Sequence, residues 1–150
     1  DVLLANGASK IYAVDVGYGQ LDWKLRQDER VIVKEKTNAR YLTDQIIKDP
    51  LDAIVCDASF ISLKKVLLSG LRLLKSYGWL VALIKPQFEV GKGLVGKGGV
   101  VRDSKLHKTV INDITQWIGF EINMNVLGVI ESPILGPSGN KEFLIVATKI

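Results

Sequence analysis

Lys85 is a charged residue at a place where the sequence otherwise predicts burial. It follows the apolar run 79–84 (WLVALI), and Pro86 comes directly after it. An ammonium group is costly to bury unless it has a partner or a chemical task, and lysine is not a residue type that caps helix starts. The pattern therefore predicts either a proton acceptor at the end of a buried strand or one half of an ion pair with Asp57.

Polar residues follow three other apolar runs of the chain. Asp15 closes the first run, Asn38 follows the second and Asp57 closes the third. Ligands of open parallel sheets bind beyond the carboxyl ends of the strands, where an acidic residue can accept hydrogen bonds from ribose hydroxyls. Asp15 is therefore a candidate for holding the ribose of a dinucleotide or of S-adenosylmethionine. Each of the three residues could instead cap a helix or a turn, as Asp and Asn commonly do.

Short β-rich runs alternate with helical patterns along the chain. Strands are predicted over residues 10–16, 31–33, 51–57, 79–85, 124–130 and 143–149, and helices over 19–28, 39–48 and 63–75. A glycine-rich loop is predicted over 87–102. A further helix is predicted to follow it, capped by Ser104, running to residues 117–118 and ending at Gly119. Such alternation with continuous apolar strands is typical of a parallel sheet covered on both faces. The prediction is one α/β domain of the doubly wound class.

The start of this pattern differs from the doubly wound class. Residues 1–7 resemble the end of a helix that stops at Gly7, and no strand or glycine-rich cofactor loop comes before them. We expect the sheet to lack its first strand, which normally lies between the strands ending at Asp15 and Asp57. A gap or a rearranged packing is predicted there.

Composition and charge limit the classes of function. The 150 residues are 47% hydrophobic and 24% charged, with a net charge of +4. These values are typical of one globular domain, and the charge permits a polyanionic partner without requiring one. Cys56 is the single cysteine, which favours a reducing compartment. No signal peptide opens the chain, and no run approaches the roughly 18 apolar residues of a membrane span, so the prediction is a cytoplasmic protein.

The glycine-rich loop carries three cations. It matches G-x-G-x-x-G once, but no helix start follows, and Gly98 stands where a P-loop needs Ser or Thr. Lys92, Lys97 and Arg102 are candidates for contacts with a phosphate backbone, although a solvated loop would look the same. His107, a few residues further on, has no metal-ligand cluster around it and is expected on a solvated helix face.

Five segments form a combination that is more specific than any one of them. They are 12–21 (YAVDVGYGQL), 37–40 (TNAR), 57–63 (DASFISL), 83–89 (LIKPQFE) and 98–103 (GGVVRD). Together they resemble the TlyA family of hemolysin-A-type ribosomal RNA ribose 2′-O-methyltransferases, whose catalytic domain is similar to the FtsJ heat-shock methyltransferases. The resemblance extends over essentially the whole chain.

The resemblance implies a Rossmann-like fold that binds S-adenosylmethionine, with a mostly parallel sheet and an antiparallel last strand. It also implies a Lys-Asp-Lys-Glu catalytic tetrad, in which Asp57, Lys85 and Glu142 match the last three members and Lys85 is the general base. No residue matches the first lysine, and the family's N-terminal RNA-binding domain has no counterpart in the chain. The residues implied to bind the cofactor are Asp15, Val16, Asn38, Ala39 and Asp57. Ribosomal RNA or ribosomal subunits would be the partner, no metal is implied, and the oligomeric state stays open.

Three other functions remain as alternatives. An NAD-dependent oxidoreductase would share the ribose contact of Asp15 but needs a usable glycine fingerprint. A membrane-lytic protein, which the name hemolysin suggests, has no support from helices that are patterned for core packing. A noncatalytic RNA-binding remnant is the third, because the first lysine of the tetrad is unmatched and residues 1–150 could be inactive alone.

Overall fold

Six strands of the chain form two separate sheets. The computed structural model describes residues 1–150, and the strands are β1 (Ile11–Val14), β2 (Val31–Lys34), β3 (Leu51–Cys56), β4 (Leu74–Ile84), β5 (Met124–Glu131) and β6 (Phe143–Lys149). β1 and β2 form a parallel pair, and the other four strands lie in the order β3-β4-β6-β5. β3 and β4 are parallel, whereas β6 is antiparallel to both of its neighbours. The predicted α/β fold with an antiparallel last strand is confirmed.

Five α-helices and several shorter turns connect the strands. The helices are α1 (Val2–Ala5), α2 (Trp23–Gln27), α3 (Leu63–Arg72), α4 (Pro86–Glu89) and α5 (Ser104–Gln116). Turns of 3-10 helix lie at Ala39–Tyr41, Lys92–Leu94, Lys97–Gly99 and Pro137–Gly139, and a π turn lies at Trp117–Glu121. None of these helices combines the length and apolar character that crossing a membrane requires.

The prediction of a helix over residues 39–48 is wrong. A 3-10 helix that the Asn38 side chain caps covers only Ala39–Tyr41, Leu42 after it is extended, and a separate turn follows in which the Ile47 amide donates to the Thr43 carbonyl. Thr43 and the aspartate that follows it belong to the residue types whose side chains hydrogen-bond to nearby backbone and so lower helix propensity. The segment forms two short turns divided by the extended Leu42 instead of one helix.

α5 begins and ends differently from the prediction. Asp103, not Ser104, is the N-cap, and its carboxylate accepts a hydrogen bond from the Lys105 amide at 2.8 Å. The helical path does not end at Gly119, because the π turn Trp117–Glu121 continues it. The first two residues of that turn are buried, so packing outweighs the tendency of glycine to end a helix.

β4 begins earlier than predicted, and α3 is correspondingly shorter. α3 ends at Arg72, and Leu74 already pairs with β3. The backbone of Tyr77 has a φ of +64°, and the regular ladder with β3 starts after it, at Trp79. Two paired stretches separated by a bend are therefore part of one strand.

The hydrophobic core is built around β4 and β6. The residues of these two strands without exposed surface are Leu80, Ala82, Ile84, Ile145 and Ala147. α3 packs Leu67 and Leu71 into this core, and α5 packs Val110 and Ile114, at the three-to-four-residue spacing of one helix face. This packing fixes the carboxyl end of β4, from which the candidate base projects.

β1 and β3 are not paired, and a cleft of about 860 Å³ lies between them. The Tyr12 hydroxyl and the Lys10 ammonium both donate to the Asp49 carboxylate, at 2.5 and 2.9 Å. These two contacts join the sheets beside the start of β3. The gap expected between the strands that lead to Asp15 and Asp57 is therefore present.

Candidate active site

Lys85 directly follows β4 and is almost buried. The residue is 8% exposed, and its Nζ lies 2.6 Å from Asp57 Oδ1 and donates to Ser59 Oγ at 3.1 Å. Pro86 occupies the first position of α4, where the missing N–H of proline costs nothing. The proline therefore turns the chain out of the sheet directly after the ammonium group.

Asp57 and Ser59 reach Lys85 because of the strand arrangement. β3 and β4 are parallel neighbours, so their carboxyl ends share one edge of the sheet. The Asp57 side chain is 72% exposed whereas that of Lys85 is 9% exposed. The pair therefore has a buried cationic half and a carboxylate half that faces solvent and any bound ligand.

Two further contacts join the segments that follow β3 and β4. Phe60, with a φ of +62° and 89% of its surface exposed, packs against Phe88 with ring centroids 4.9 Å apart. The Glu89 carboxylate accepts hydrogen bonds from the Ser62 hydroxyl and the Leu63 amide, both at 2.7 Å, and burial raises the pKa of Glu89. The segments that carry the Lys85 ion pair are thus tethered to each other at both contacts.

Glu142 is a buried carboxylate without a cationic partner. The residue is 5% exposed, and Oε1 accepts a hydrogen bond from Gln87 Nε2 at 3.1 Å. No Lys, Arg or His nitrogen of the chain lies within 4.0 Å of its carboxylate. The close approach of Gly136 encloses the carboxylate, because a Cβ atom there would lie 2.0 Å from Oε1.

Asp15 directly follows β1 and is exposed. Its Oδ1 accepts a hydrogen bond from the Gly17 amide at 2.7 Å, and its carbonyl accepts one from the Thr37 amide at 3.0 Å. The turn that Asp commonly forms is therefore present. It occupies one carboxylate oxygen and leaves Oδ2 for a ligand.

The other predicted cofactor residues lie after β1 and β2. Val16 is 73% exposed. Asn38 accepts a hydrogen bond from the Arg40 amide at 3.0 Å, and Ala39 begins the 3-10 turn that follows. Since β1 and β2 are parallel neighbours, these residues lie on the same sheet edge as Asp15.

Glu35 is an acidic residue of this edge that the sequence analysis did not single out. It lies with Asp15 in a pocket of about 160 Å³ and directly follows β2. The Arg26 guanidinium lowers the pKa of Glu35 by hydrogen bonding, and the Gly19 amide donates to the same carboxylate at 2.9 Å. Its position at the end of an apolar run was a signal that could have identified it.

The three cations predicted to contact RNA lie on or beside an exposed loop. Lys92 and Lys97 each begin a 3-10 turn, and Arg102 donates to the Lys97 carbonyl at 3.4 Å. None of the three is in an ion pair. Their charges are therefore available to an anionic partner.

The end of this loop is held by buried side chains. Asn140, which is 2% exposed, accepts a hydrogen bond from the Val101 amide at 3.0 Å. His107 bonds to the Val101 carbonyl at 2.8 Å through Nε2 and is 7% exposed. The expectation that His107 lies on a solvated face is wrong, because its ring packs against Phe143.

The structure brings only part of the predicted tetrad into direct contact. Asp57 and Lys85 form an ion pair, whereas Glu142 bonds to Gln87, two residues beyond the lysine. Sequence reasoning missed Ser59 and Gln87, since nothing in a single sequence distinguishes them from other polar loop residues. No group of three or more His, Cys, Asp or Glu side chains is arranged to hold a metal ion.

Comparison with known proteins defines the class. Residues 1–149 match the FtsJ-like methyltransferase family, and the chain belongs to it. The chain is 47% identical over 145 residues to the 16S/23S rRNA (cytidine-2′-O)-methyltransferase TlyA of Mycobacterium tuberculosis, a match covering 97% of the chain and 54% of that protein. The TlyA resemblance is thereby confirmed. The chain spans about half the length of that relative.

Two solved structures show the same fold. A candidate hemolysin from Lactococcus lactis superposes with a TM-score of 0.94 at 41% identity, covering 99% of this chain and 71% of that one. An S-adenosylmethionine-dependent methyltransferase from Methanosarcina mazei superposes with a TM-score of 0.62 at 14% identity, covering 99% of this chain and 86% of that one. The second likeness shows the methyltransferase fold alone. The hemolysin alternative has only a name in its favour.

Proposed function

We propose that the protein containing this chain transfers a methyl group from S-adenosylmethionine to ribose 2′-hydroxyl groups of ribosomal RNA in the cytoplasm. Membership of the FtsJ-like family and the similarity to TlyA support this reaction class. The observation that carries the proposal is the buried Lys85 ammonium, 2.6 Å from Asp57 at the carboxyl edge of β3 and β4. Ribosomal RNA or a ribosomal subunit is then the partner.

Lys85 would act as the proton acceptor. S-adenosylmethionine, when bound, supplies a methyl group on a sulfonium centre that an in-line nucleophile can displace. Lys85 in its neutral form would accept the proton of the ribose hydroxyl and so make that oxygen the nucleophile for the methyl group. Asp57 would stabilise the ammonium that results, and Ser59 would fix the direction of Nζ.

The buried carboxylate of Glu142 supports a second cation at the site. An ionised carboxylate without a cation is costly to bury, and Glu142 has only the neutral Gln87 amide as a side-chain donor. The first lysine of the TlyA tetrad would supply that cation. We therefore expect residues 1–150 to need the remainder of the full-length protein for activity.

The residues near β1 and β2 fit the cofactor. Asp15 has a free, exposed carboxylate oxygen that can accept hydrogen bonds from ribose hydroxyls. Val16, Asn38 and Ala39 lie on the same edge and would border the adenine. Asp57 at the end of β3 would complete the cofactor edge, and Lys92, Lys97 and Arg102 would contact phosphates.

Substitution of Lys85 tests the proposal. Lys85→Ala in the full-length protein is expected to lower methyl transfer to ribosomal subunits by about 10²–10⁴-fold, the usual contribution of a general base. S-adenosylmethionine affinity, measured by calorimetry, should stay nearly unchanged because the Lys85 ammonium contacts Asp57 and Ser59 and is not itself among the residues proposed to hold the cofactor. Lys64→Ala is the matched control, since Lys64 forms a 2.8 Å ion pair with Asp113 on the surface.

Two outcomes would contradict the proposal. Unchanged turnover of Lys85→Ala would remove Lys85 from the mechanism. Binding of NAD in place of S-adenosylmethionine by the full-length protein would favour the oxidoreductase alternative, and a liposome-leakage assay separates the lytic one.

A further inference from the structure

We propose that Asn140 is a positioning residue that couples the basic loop, residues 91–102, to the strand end carrying Glu142. The proposal rests on the proposed function, in which the loop contacts RNA and Glu142 belongs to the active site. Asn140 Oδ1 accepts from the Val101 amide at 3.0 Å, and Nδ2 donates to the carbonyls of Gly99 at 2.9 Å and Pro137 at 3.0 Å. Both amide donors and the acceptor are therefore in use.

The exposed part of the loop, residues 91–100, has one long-range hydrogen bond, and Asn140 supplies it. Hydrogen bonds within residues 91–100 are local, such as the Gly96 amide to the Val100 carbonyl at 3.0 Å. The bond from Asn140 to Gly99 is the one hydrogen bond that joins residues 91–100 to a distant segment. Because the loop is glycine-rich and exposed, its backbone has little else to fix the positions of Lys92 and Lys97.

The same side chain lies next to Glu142. Asn140 is two residues before it, and the Asn140 carbonyl accepts a hydrogen bond from the Gly136 amide at 2.8 Å. On the other side of Glu142, the Phe143 ring packs against His107, which holds the Val101 carbonyl. The N–H and the C=O of Val101 are thus held by residues on the two sides of Glu142, so we expect displacement of the loop to displace the carboxylate as well.

The first measurement is amide hydrogen exchange, which does not require activity. Asn140→Ala in the full-length protein should speed exchange of the Val101 amide by about tenfold or more, the effect of losing one buried hydrogen bond. Asn140→Asp keeps the Oδ1 acceptor and loses both donors, so Val101 should stay protected in that variant. Asn112→Ala is the control, because Asn112 lies exposed on α5 without a side-chain hydrogen bond.

The second measurement separates positioning from simple stabilisation. Asn140→Ala should raise KM for the ribosomal substrate by about tenfold and leave S-adenosylmethionine affinity unchanged. Lys97→Ala should raise the same KM in the native background but add little in Asn140→Ala, because residues 91–100 have then already lost their long-range hydrogen bond. A merely structural role would give independent, multiplicative effects of the two substitutions.

Either of two results would overturn the proposal: unchanged Val101 exchange in Asn140→Ala, or multiplicative effects of Asn140→Ala and Lys97→Ala. If Asn140→Ala does not fold, the same cycle with Asn140→Asp decides, since that variant keeps the Val101 bond and releases Gly99. Activity of Lys85→Ala reports on the proposed function separately from the exchange result.

Discussion

Gly136→Ala is a sharp test of the buried Glu142 carboxylate. An added Cβ atom would lie 2.0 Å from Glu142 Oε1 and 2.5 Å from its Cδ. The backbone of Gly136 has a φ of −79°, which any residue adopts, so the substitution introduces no backbone strain. Its whole effect should come from pushing the carboxylate away from Gln87.

The size of the effect follows from overpacking a buried site. Extra methylenes in a packed interior cost about 1–3 kcal/mol, and each kcal/mol shifts Tm by about 2–4 °C for a domain of this size. The expected fall in Tm is therefore about 2–12 °C. Methyl transfer by the full-length protein should fall as well, because Glu142 leaves its position.

Calorimetry and a double-mutant cycle provide the assay. In Glu142→Ala the space beside Gly136 is empty, so adding Gly136→Ala to it should cost almost nothing further. Gly93→Ala is the control, because nothing lies within 4 Å of the Cβ position there. An equal fall in Tm from Gly136→Ala with and without the Glu142 side chain would refute the reasoning, since the clash would then not be with the carboxylate.

Two other predictions concern titrating groups. Hydrogen bonds from Arg30 lower the pKa of Asp28 to about 2, below its unfolded value of about 3.9, so this pair should stabilise the fold above about pH 4 and lose its effect as pH falls through about 2. Denaturant titrations from pH 7 to pH 2 should show that the free energy of unfolding falls less steeply with decreasing pH in Asp28→Asn than in the native protein, with Asp44→Asn as the control. The same pH dependence in all three proteins would contradict the assignment. Burial and the neighbouring Asp57 raise the pKa of Cys56 to about 11. Native protein at pH 8 should therefore resist alkylation by iodoacetamide, whereas denatured protein should react. Rapid alkylation of the folded protein, detected by mass spectrometry, would contradict this prediction.

The approximate positions of the strands and the residues at their ends could be predicted because they are local properties of the chain. Continuous apolar runs identify β3 and β4 without knowledge of their place in the fold. The polar residue that ends each run is then visible directly in the sequence. Asp57 and Lys85 could be paired from sequence because adjacent parallel strands bring their ends to one edge. The prediction of a helix over 39–48 was wrong because the extended Leu42 divides that segment into two short turns.

Only the tertiary structure decided which side chains complete the site. Gln87 meets Glu142 across 55 residues, and Asn140 meets Val101 across 39, so neither contact leaves a trace in local sequence. The same holds for the burial of His107, which depends on Phe143 packing against it. The sequence by itself determined the α/β class and the ammonium at the end of β4, because patterning is local. The contacts that hold the candidate groups in place depend on long-range packing, which the fold alone specifies.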